Sequence, residues 1–300
     1  MKNVNYVNNA KKVGLIVPAF NVSYLPMLEP IVAAVVAKDA FAFIAVARLE
    51  WVKFESRSMN AVKDEFDKWC DPAHVRLHLD HVPVIDEDGV EVDYVPVIRQ
   101  AIELGYGSVM VDGSRLDLNE NIDATRTIVE MAHSAGICCE AELGNVVGHE
   151  KGPTPPYEEI FASKKYFTSV DQAQRFVKET GCDWLSVSVG NIHGAIVAAK
   201  RDMGKAEARL DLELVQALSE AVDRPLVLHG GSGIQQKFVL AAMKRGVAKI
   251  NIAFANTRVY EKTLSETGDI RKAQKAVYEK TCWLLDDYFG LRGTCKAVTG

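Results

Sequence analysis

The sequence predicts an α/β protein that folds as a single (β/α)8 TIM barrel over residues 1–300, with extra helices at its C-terminal end. Eight short apolar runs are each followed by a stretch with helical spacing, which is typical of parallel strands joined by helical crossovers. Several runs, such as residues 41–47, are apolar throughout, as expected for strands buried on both faces. The alternative is an open doubly wound sheet, but no G-x-G-x-x-G follows the first run.

The predicted strands cover residues 14–20, 41–47, 75–81, 107–112, 137–142, 183–189, 225–228 and 247–252. Helical spacing is found over residues 4–12, 25–38, 58–70, 91–104, 119–134, 170–180, 211–221, 235–245 and 254–289, with a break near Gly268. Gly and Pro interrupt residues 144–168, and a connection this long is usually functional or mobile.

The composition is that of an ordinary globular protein. The chain has 300 residues, 48% of them hydrophobic and 25% charged, which suits one α/β barrel. The net charge of −5 gives no electrostatic reason to bind nucleic acid or an anionic membrane, and no apolar run approaches the ~20 residues of a bilayer span. A polar N-terminus and six cysteines without C-x-x-C spacing predict a cytoplasmic protein with reduced thiols.

Polar residues of catalytic or ligand type stand at the ends of most predicted strands. They are Asp80, His81, Asp112, Glu140, Glu142, His193, His229 and Asn251. In a TIM barrel the carboxyl ends of the strands converge on one mouth, so these side chains are expected to meet there. Asp80 next to His81 could supply a proton-transfer group and a metal ligand side by side.

Three of these residues, His81, His193 and His229, suggest a metal site, since three imidazoles with an open fourth position form a typical catalytic zinc site. The alternative is that backbone carbonyls satisfy all three. The Gly-rich turn at residues 229–233 could present backbone N–H groups to an anion such as phosphate, although such a turn is also simply tight.

Seven motifs occur in an order that resembles one enzyme family. They are residues 18–22 (PAFNV), 78–81 (HLDH), 108–114 (SVMVDGS), 140–144 (EAELG), 190–194 (GNIHG), 229–233 (HGGSG) and 249–252 (KINI). From about residue 5 to 290 the chain resembles the class II, zinc-dependent fructose/tagatose-bisphosphate aldolases. The resemblance implies a lyase that cleaves or forms a C–C bond in a ketose through a metal-stabilised enediolate.

The resemblance also implies roles for individual residues. It implies Zn2+, or another divalent metal, on His81, His193 and His229, with a monovalent cation as a further candidate. Asp80 resembles the family's acid/base, and Glu150 matches its mobile-loop carboxylate.

Further residues match the second metal position and the substrate contacts. Asp112 and Glu142 match residues around a second metal position. The substrate-binding candidates are Asn21, Gly194, Gly230, Ser232 and Asn251. Small ketose and aldehyde substrates are the expected partners, and the relatives suggest a homodimer or homotetramer.

The phosphate-binding positions depart from the family pattern. Val82 replaces a common Gly, Ala47 replaces a strand-two Ser, and Ala253 and Phe254 replace small hydroxyl or acidic residues. The family's Tyr-Lys after strand six becomes Ile-Val at residues 196–197. Because these changes remove donors that a phosphate needs, we expect the donor end of the substrate to carry a neutral or carboxylated group.

Two nearby cations, Arg48 and Lys200, are candidate anion contacts, or else simply solvated.

Three other functions stay open on the sequence alone. The first is an ordinary fructose- or tagatose-1,6-bisphosphate aldolase, in which Arg48 and Lys200 replace the lost contacts. The second is a metal-dependent barrel hydrolase, with Asp80 or Glu150 activating a water. The third is a non-catalytic paralogue that binds a sugar or a protein.

Overall fold

A closed barrel of eight parallel strands, paired in chain order, forms the centre of the computed structural model. The structure describes residues 5–146, 156–193 and 208–300. The strands are β1 Val17–Asn21, β2 Ala42–Ala47, β3 Val75–Pro83, β4 Ser108–Asp112, β5 Cys138–Leu143, β6 Trp184–Val187, β7 Leu226–Leu228 and β8 Val247–Ile252. The predicted TIM-barrel class is confirmed, and the open sheet is wrong because β1 pairs with β8.

Helices surround the barrel and cover its N-terminal end. In chain order they are α1 Tyr6–Val13, α2 Leu28–Ala37, α3 Arg48–Val52, α4 Met59–Trp69, α5 Tyr94–Glu103, α6 Leu118–Ser134, α7 Tyr157–Ser163, α8 Val170–Thr180, α9 Leu212–Ala221, α10 Gln236–Met243, α11 Phe254–Thr267, α12 Ile270–Trp283 and α13 Cys295–Thr299. Short 3-10 turns cover Leu25–Met27 and Gly231–Gly233, and a π-helical turn covers Leu284–Tyr288.

The strands are buried on both faces, which explains why the sequence shows continuous apolar runs. One large cluster packs the outward strand faces against the helices. A second, smaller cluster fills the lower barrel interior and includes Phe41, Phe43 and Trp184, which α1 and α13 cover from below. With the lower interior closed by apolar rings, only the C-terminal mouth of the barrel can hold a polar site.

Most predicted elements agree with the structure to within a few residues. The exceptions are the short helices α3, α7 and α13, for which the sequence predicts no helix. In addition, β3 continues to Pro83, two residues beyond its predicted end at His81. A break at Gly268 separates α11 from α12, as predicted. All six cysteines are free thiols, also as predicted. In the described ranges, no helix has the length and apolar character to cross a membrane.

The apolar filling of the lower barrel should contribute strongly to stability. We expect Trp184→Ala to lower the free energy of unfolding by about 3–5 kcal/mol, because Trp184 is 1% exposed and its removal leaves a cavity. The matched control is Trp283→Ala, whose side chain is 43% exposed and which should cost under about 1 kcal/mol. Urea unfolding of both variants measures this, and equal losses would show that the lower barrel is not the packed core described.

Candidate active site

A pocket opens at the carboxyl ends of the strands, where the sequence predicts a site. It is lined by residues that follow or end several strands, among them Asn21, Asp80, His81, His229 and Asn251. His193, which follows β6, also lines it. The structure thus brings together the strand-end residues that the sequence predicts to meet, since Asp112 and Glu142 face the same space.

A bulge in β3 lets two consecutive residues face the pocket. In a regular strand, neighbouring side chains point to opposite faces. The β3–β4 register shifts between Leu79 and Val82, which leaves Asp80 and His81 opposite a single step of β4. His81 has a positive φ of 21°, an uncommon conformation for a residue other than glycine. This local distortion turns Asp80 and His81 into the same cavity.

The imidazoles of His81, His193 and His229 form one cluster. Their ring centroids are 4.5 Å apart for His81–His229, 5.2 Å for His81–His193 and 6.1 Å for His193–His229. Each ring offers a nitrogen within 4.8 Å of the nitrogens from the other two. Within the described ranges, the Nε2 of His81 is buried and has no hydrogen-bond partner. Three convergent imidazole nitrogens fit a divalent transition-metal ion.

Carboxylates fix the orientation of two of these rings. His229 Nε2 lies 2.8 Å from Glu140 Oε1, so its Nδ1 is the nitrogen that remains for an ion. His81 Nδ1 lies 3.2 Å from Asp112 Oδ2, which leaves its Nε2 in the same way. Such carboxylate–histidine pairs are the usual second layer around a metal, because they set the tautomer and strengthen the ligand.

Asp80 lies beside the imidazole cluster and is held by two amides. Asn21 Nδ2 donates to Asp80 Oδ2 at 2.8 Å, and Asn251 Nδ2 donates to Asp80 Oδ1 at 2.7 Å. Burial alone would raise the pKa of Asp80, but the neighbouring charges of His229, His81 and Lys249 hold it well below its usual range. Asp80 is therefore an ionised, positioned carboxylate that can accept a proton.

A layer of polar side chains lies inside the barrel beneath Asp80. Lys249 Nζ is 2.8 Å from Glu140 Oε2 and donates to Asn251 Oδ1 at 2.6 Å. His78 Nδ1 is 2.8 Å from Ser108 Oγ, and burial, followed by the charge of Lys249, lowers its pKa to about 3. His78 is thus a neutral imidazole under the site.

Asp112 and Glu142 adjoin His81, as the resemblance implies for a second metal position. Ligand atoms of all three residues lie within 4.8 Å of one another. Burial and the nearby Asp112 raise the pKa of Glu142 to about 8, while Ser186 Oγ donates to it at 3.0 Å. In addition to any ion they could hold, Asp112 orients His81, and Glu142 Oε2 lies 3.6 Å from His81 Nε2.

The remaining predicted site residues either line the pocket or lie outside the described residues. Gly230 lines the pocket at a φ of 68°, and a Cβ there would lie 2.1 Å from the carbonyl oxygen of Ile192, so glycine is required. Arg48 also lines the pocket, with Nη1 3.4 Å from Asp86 Oδ2. Glu150, Gly194, Lys200 and the side chain of Ser232 lie outside the residues that the structure describes.

Three buried polar residues were not identified from the sequence, namely His78, Lys249 and Glu50. The first two lie two positions before a predicted site residue on the same strand: His78 before Asp80, and Lys249 before Asn251. Since side chains two apart share a face, this spacing could have identified them. Glu50 lies on the short helix α3, for which the sequence has no comparable signal.

A comparison with protein families decides what kind of enzyme this is. The model described as fructose-bisphosphate aldolase class-II matches residues 2–290.

The chain belongs to the class II fructose-bisphosphate aldolase family.

Relatives of this aldolase agree with the assignment. A fructose-bisphosphate aldolase from Streptococcus pneumoniae serotype 4 is 33% identical over 291 residues, covering 94% of this chain and 90% of that protein. A 6-phospho-5-dehydro-2-deoxy-D-gluconate aldolase from Shouchella clausii is 38% identical over 178 residues, covering 59% of this chain and 52% of that protein. The crystal structure of the YdjI aldolase from Escherichia coli K12 aligns with a TM-score of 0.75 and 28% identity over 97% of each chain.

The prediction of a class II aldolase, and hence of a lyase, is confirmed. The family is typically metal-dependent, and the imidazole cluster of the barrel mouth is suited to such an ion.

The buried pair Glu140–Lys249 should be needed for stability. In metal-free protein we expect Lys249→Met to lower the free energy of unfolding by about 3–5 kcal/mol, because the buried Glu140 carboxylate loses its cationic partner. The double variant Lys249→Met/Glu140→Gln should recover part of that loss.

The control for this prediction is Lys262→Met, whose side chain is 74% exposed and whose distance to Glu266 is 3.9 Å. It should change the free energy of unfolding by no more than about 0.5 kcal/mol. Urea unfolding measures all three variants. If Lys249→Met is as stable as the parent protein, the buried charge pair does not have the assigned role.

Proposed function

We propose that this aldolase cleaves, and in reverse forms, a C–C bond in a ketose or related hydroxyketone, with Asp80 as the base and with zinc held by His81, His193 and His229. One observation carries the proposal: an ionised carboxylate, fixed by two amides, lies beside three convergent imidazoles in one pocket. The family membership supplies the reaction class, and the geometry supports the roles.

The proton transfers follow from where the carboxylates lie. In cleavage, Asp80 takes the proton from the hydroxyl one carbon beyond the breaking bond, and that carbon becomes the aldehyde of the product. The electrons of the broken bond pass to the ketone half, which becomes an enediolate. A divalent ion in the imidazole cluster would supply Lewis-acid stabilisation of the negative charge at the ketone oxygen. Glu150, outside the described residues, is proposed to return a proton to the ketone half.

The amides around Asp80 keep the base in place and ionised. Asn21 and Asn251 each donate to one of its oxygens, so neither oxygen can rotate away from the pocket. Lys249 sets the orientation of Asn251. Its ammonium group donates a hydrogen bond to Asn251 Oδ1 at 2.6 Å, so Nδ2 of the same amide faces Asp80. Positioning of this kind lowers the barrier because the base does not have to reorganise in the transition state.

We propose that the ketone half does not end in an ordinary phosphate. Ala253 and Phe254 line the pocket next to Asn251 and Gly230, and neither side chain can donate a hydrogen bond to an anion. An unphosphorylated or carboxylated ketone half fits this lining better. We also propose that the enzyme works in the cytoplasm as a homodimer or homotetramer, as the family resemblance implies.

Removing the proposed base should stop turnover without removing the metal. We expect Asp80→Asn to lower kcat for ketose cleavage by at least about 100-fold, since an amide keeps the shape but cannot take the proton. Aldehyde release from a panel of phosphorylated and unphosphorylated ketoses is the assay, with bound zinc measured by elemental analysis. The exposed Asp67→Asn serves as the control. Unchanged turnover in Asp80→Asn would contradict the assigned role.

Removing the metal should abolish activity and be reversible. We expect chelator-treated protein to lose ketose cleavage and to regain it on addition of Zn2+, because without the ion nothing offsets the charge at the ketone oxygen. His81→Ala should neither retain zinc nor regain activity, whereas His133→Ala, which removes a surface imidazole 2.9 Å from Asp183, should do both. Full activity of metal-free protein, or hydrolysis of esters without C–C cleavage, would contradict the proposal.

A further inference from the structure

Glu50 is a buried carboxyl group in the active-site pocket that the proposed chemistry does not use. It lies in α3, directly after β2, and is 4% exposed. It lines the pocket together with Asn21 and Asp80. Its Oε2 accepts a hydrogen bond from the backbone N–H of Ala47, and its Oε1 accepts one from Asn21 Nδ2 at 3.3 Å. Glu50 and Asp80 therefore flank the same amide.

Carboxylates and not free donors surround the N–H groups of Asn21 and Ala47 in this corner. Both N–H groups of the Asn21 amide are directed at carboxylates, one at Asp80 and one at Glu50. The N–H of Ala47 is directed at Glu50 itself. Arg48 Nη1 faces Asp86 at 3.4 Å. A phosphate needs several donors, or a cation not already matched by a carboxylate, so this corner is poorly suited to one.

The acceptors in the corner are, by contrast, in surplus. Asn21 Oδ1 is buried and has no hydrogen-bond partner among the residues that the structure describes. Its assignment as oxygen is secure, because the opposite orientation of the amide would place that oxygen against the carboxylate of Asp80. Each oxygen of Glu50 takes one described hydrogen bond, which leaves further lone pairs. A buried acceptor without a partner is costly, so it points to a ligand that donates.

We propose that Glu50 and Asn21 Oδ1 form a hydroxyl-recognition corner, which binds a free hydroxyl group of the aldehyde half of the substrate and discriminates against a phosphate in that place. This proposal rests on the proposed function, because it takes the aldehyde half to be the part that Asp80 deprotonates. Since Asn21 bridges Asp80 and Glu50, a group bound in the corner would adjoin the hydroxyl that Asp80 deprotonates, which belongs to the aldehyde half. The corner therefore makes Glu50 a specificity-determining residue for polyhydroxy aldehydes.

The ionised Asp80 beside the corner supports the same selectivity. Burial, followed by the charge of Asp80, raises the pKa of Glu50 to about 8. A substrate hydroxyl can bond to either form, donating to the carboxylate or accepting from the acid. A phosphate dianion can bond only to the acid form and would stand close to the ionised Asp80. Arg115 also lines the pocket, but it follows β4, whereas the corner is formed by residues that end β1 or follow β2.

The test compares three aldehydes that differ at one position: D-glyceraldehyde, lactaldehyde, which lacks the terminal hydroxyl, and D-glyceraldehyde 3-phosphate. Each is condensed with dihydroxyacetone or dihydroxyacetone phosphate by the zinc-loaded enzyme. We expect kcat/KM for D-glyceraldehyde to exceed the values for the other two by about tenfold or more. At a pH above the Glu50 pKa of about 8, where Glu50 is ionised, the preference over the phosphate should shrink by about tenfold in Glu50→Gln, mainly through KM, because the new amide is uncharged and can donate.

The matched control is Glu55→Gln, an exposed residue five positions along that does not line the pocket and should leave all three ratios unchanged. A merely structural Glu50, acting through the N–H of Ala47, would lower activity on the three aldehydes equally when replaced, and that result overturns the inference. A wild-type preference for the phosphorylated aldehyde overturns it too, and this comparison needs no variant, so it holds even if Glu50→Gln does not fold.

The outcome also separates this inference from the proposed function. If Glu50→Gln condenses the aldehydes with unchanged ratios of kcat/KM, the hydroxyl-recognition corner is contradicted. The proposed aldolase chemistry is then still supported. If neither dihydroxyacetone nor dihydroxyacetone phosphate condenses with any aldehyde, the proposed function is contradicted. In that case the hydroxyl-recognition corner is tested by equilibrium binding of glycerol and glycerol 3-phosphate to the wild-type protein. Tighter binding of glycerol 3-phosphate would contradict the inference.

Discussion

The carboxylate of Glu140, held inside the barrel between Lys249 and His229, is the interaction on which the rest of the site depends. Its bond to His229 Nε2 turns the Nδ1 of that ring towards the imidazole cluster. Its partner Lys249 in turn orients Asn251, and Asn251 positions Asp80. One buried charge pair therefore sets both the proposed ligand and the proposed base. Such a pair is tolerated in a barrel interior only because each charged group has partners at hydrogen-bond distance.

The sequence predicts much of this arrangement because a parallel barrel imposes simple rules. Buried strands are apolar throughout, and their last residues face one mouth, so Asp80, His229 and Asn251 could be placed from sequence position alone. The family resemblance then supplied their proposed roles. His78 could not be placed in this way, because it lies inside β3 and faces the interior layer beneath the strand ends.

Other features depend on contacts that no local pattern reveals. The bulge in β3 is a matter of pairing with β4, and it alone allows Asp80 and His81 to face the same cavity. Glu50 belongs to a helix of five residues, too short for periodicity to be detected, and its burial results from the packing of that helix against β2 and β3. Its importance comes from neighbours distant in the chain, Asn21 and Asp80.

Two parts of the pocket differ in kind. The imidazoles, Asp80 and the layer beneath them form a network of buried polar and charged groups, as expected for chemistry shared across an enzyme family. The surroundings of the substrate ends are formed by residues such as Phe254 and Glu50, which lack donors for phosphate. Because function resides in sites carried by a common fold, such differences at the pocket wall change the substrate while the reaction stays the same.

The most direct test of the account is a crystal structure of the zinc-loaded protein, with anomalous diffraction recorded at the zinc edge. The account predicts one strong anomalous peak in the pocket, within about 2.0–2.2 Å of a nitrogen from each of His81, His193 and His229. It also predicts that the carboxylate of Asp80 faces the open side of that ion. A zinc ion bound elsewhere, or one that any of the three imidazoles fails to reach, would contradict the central claim.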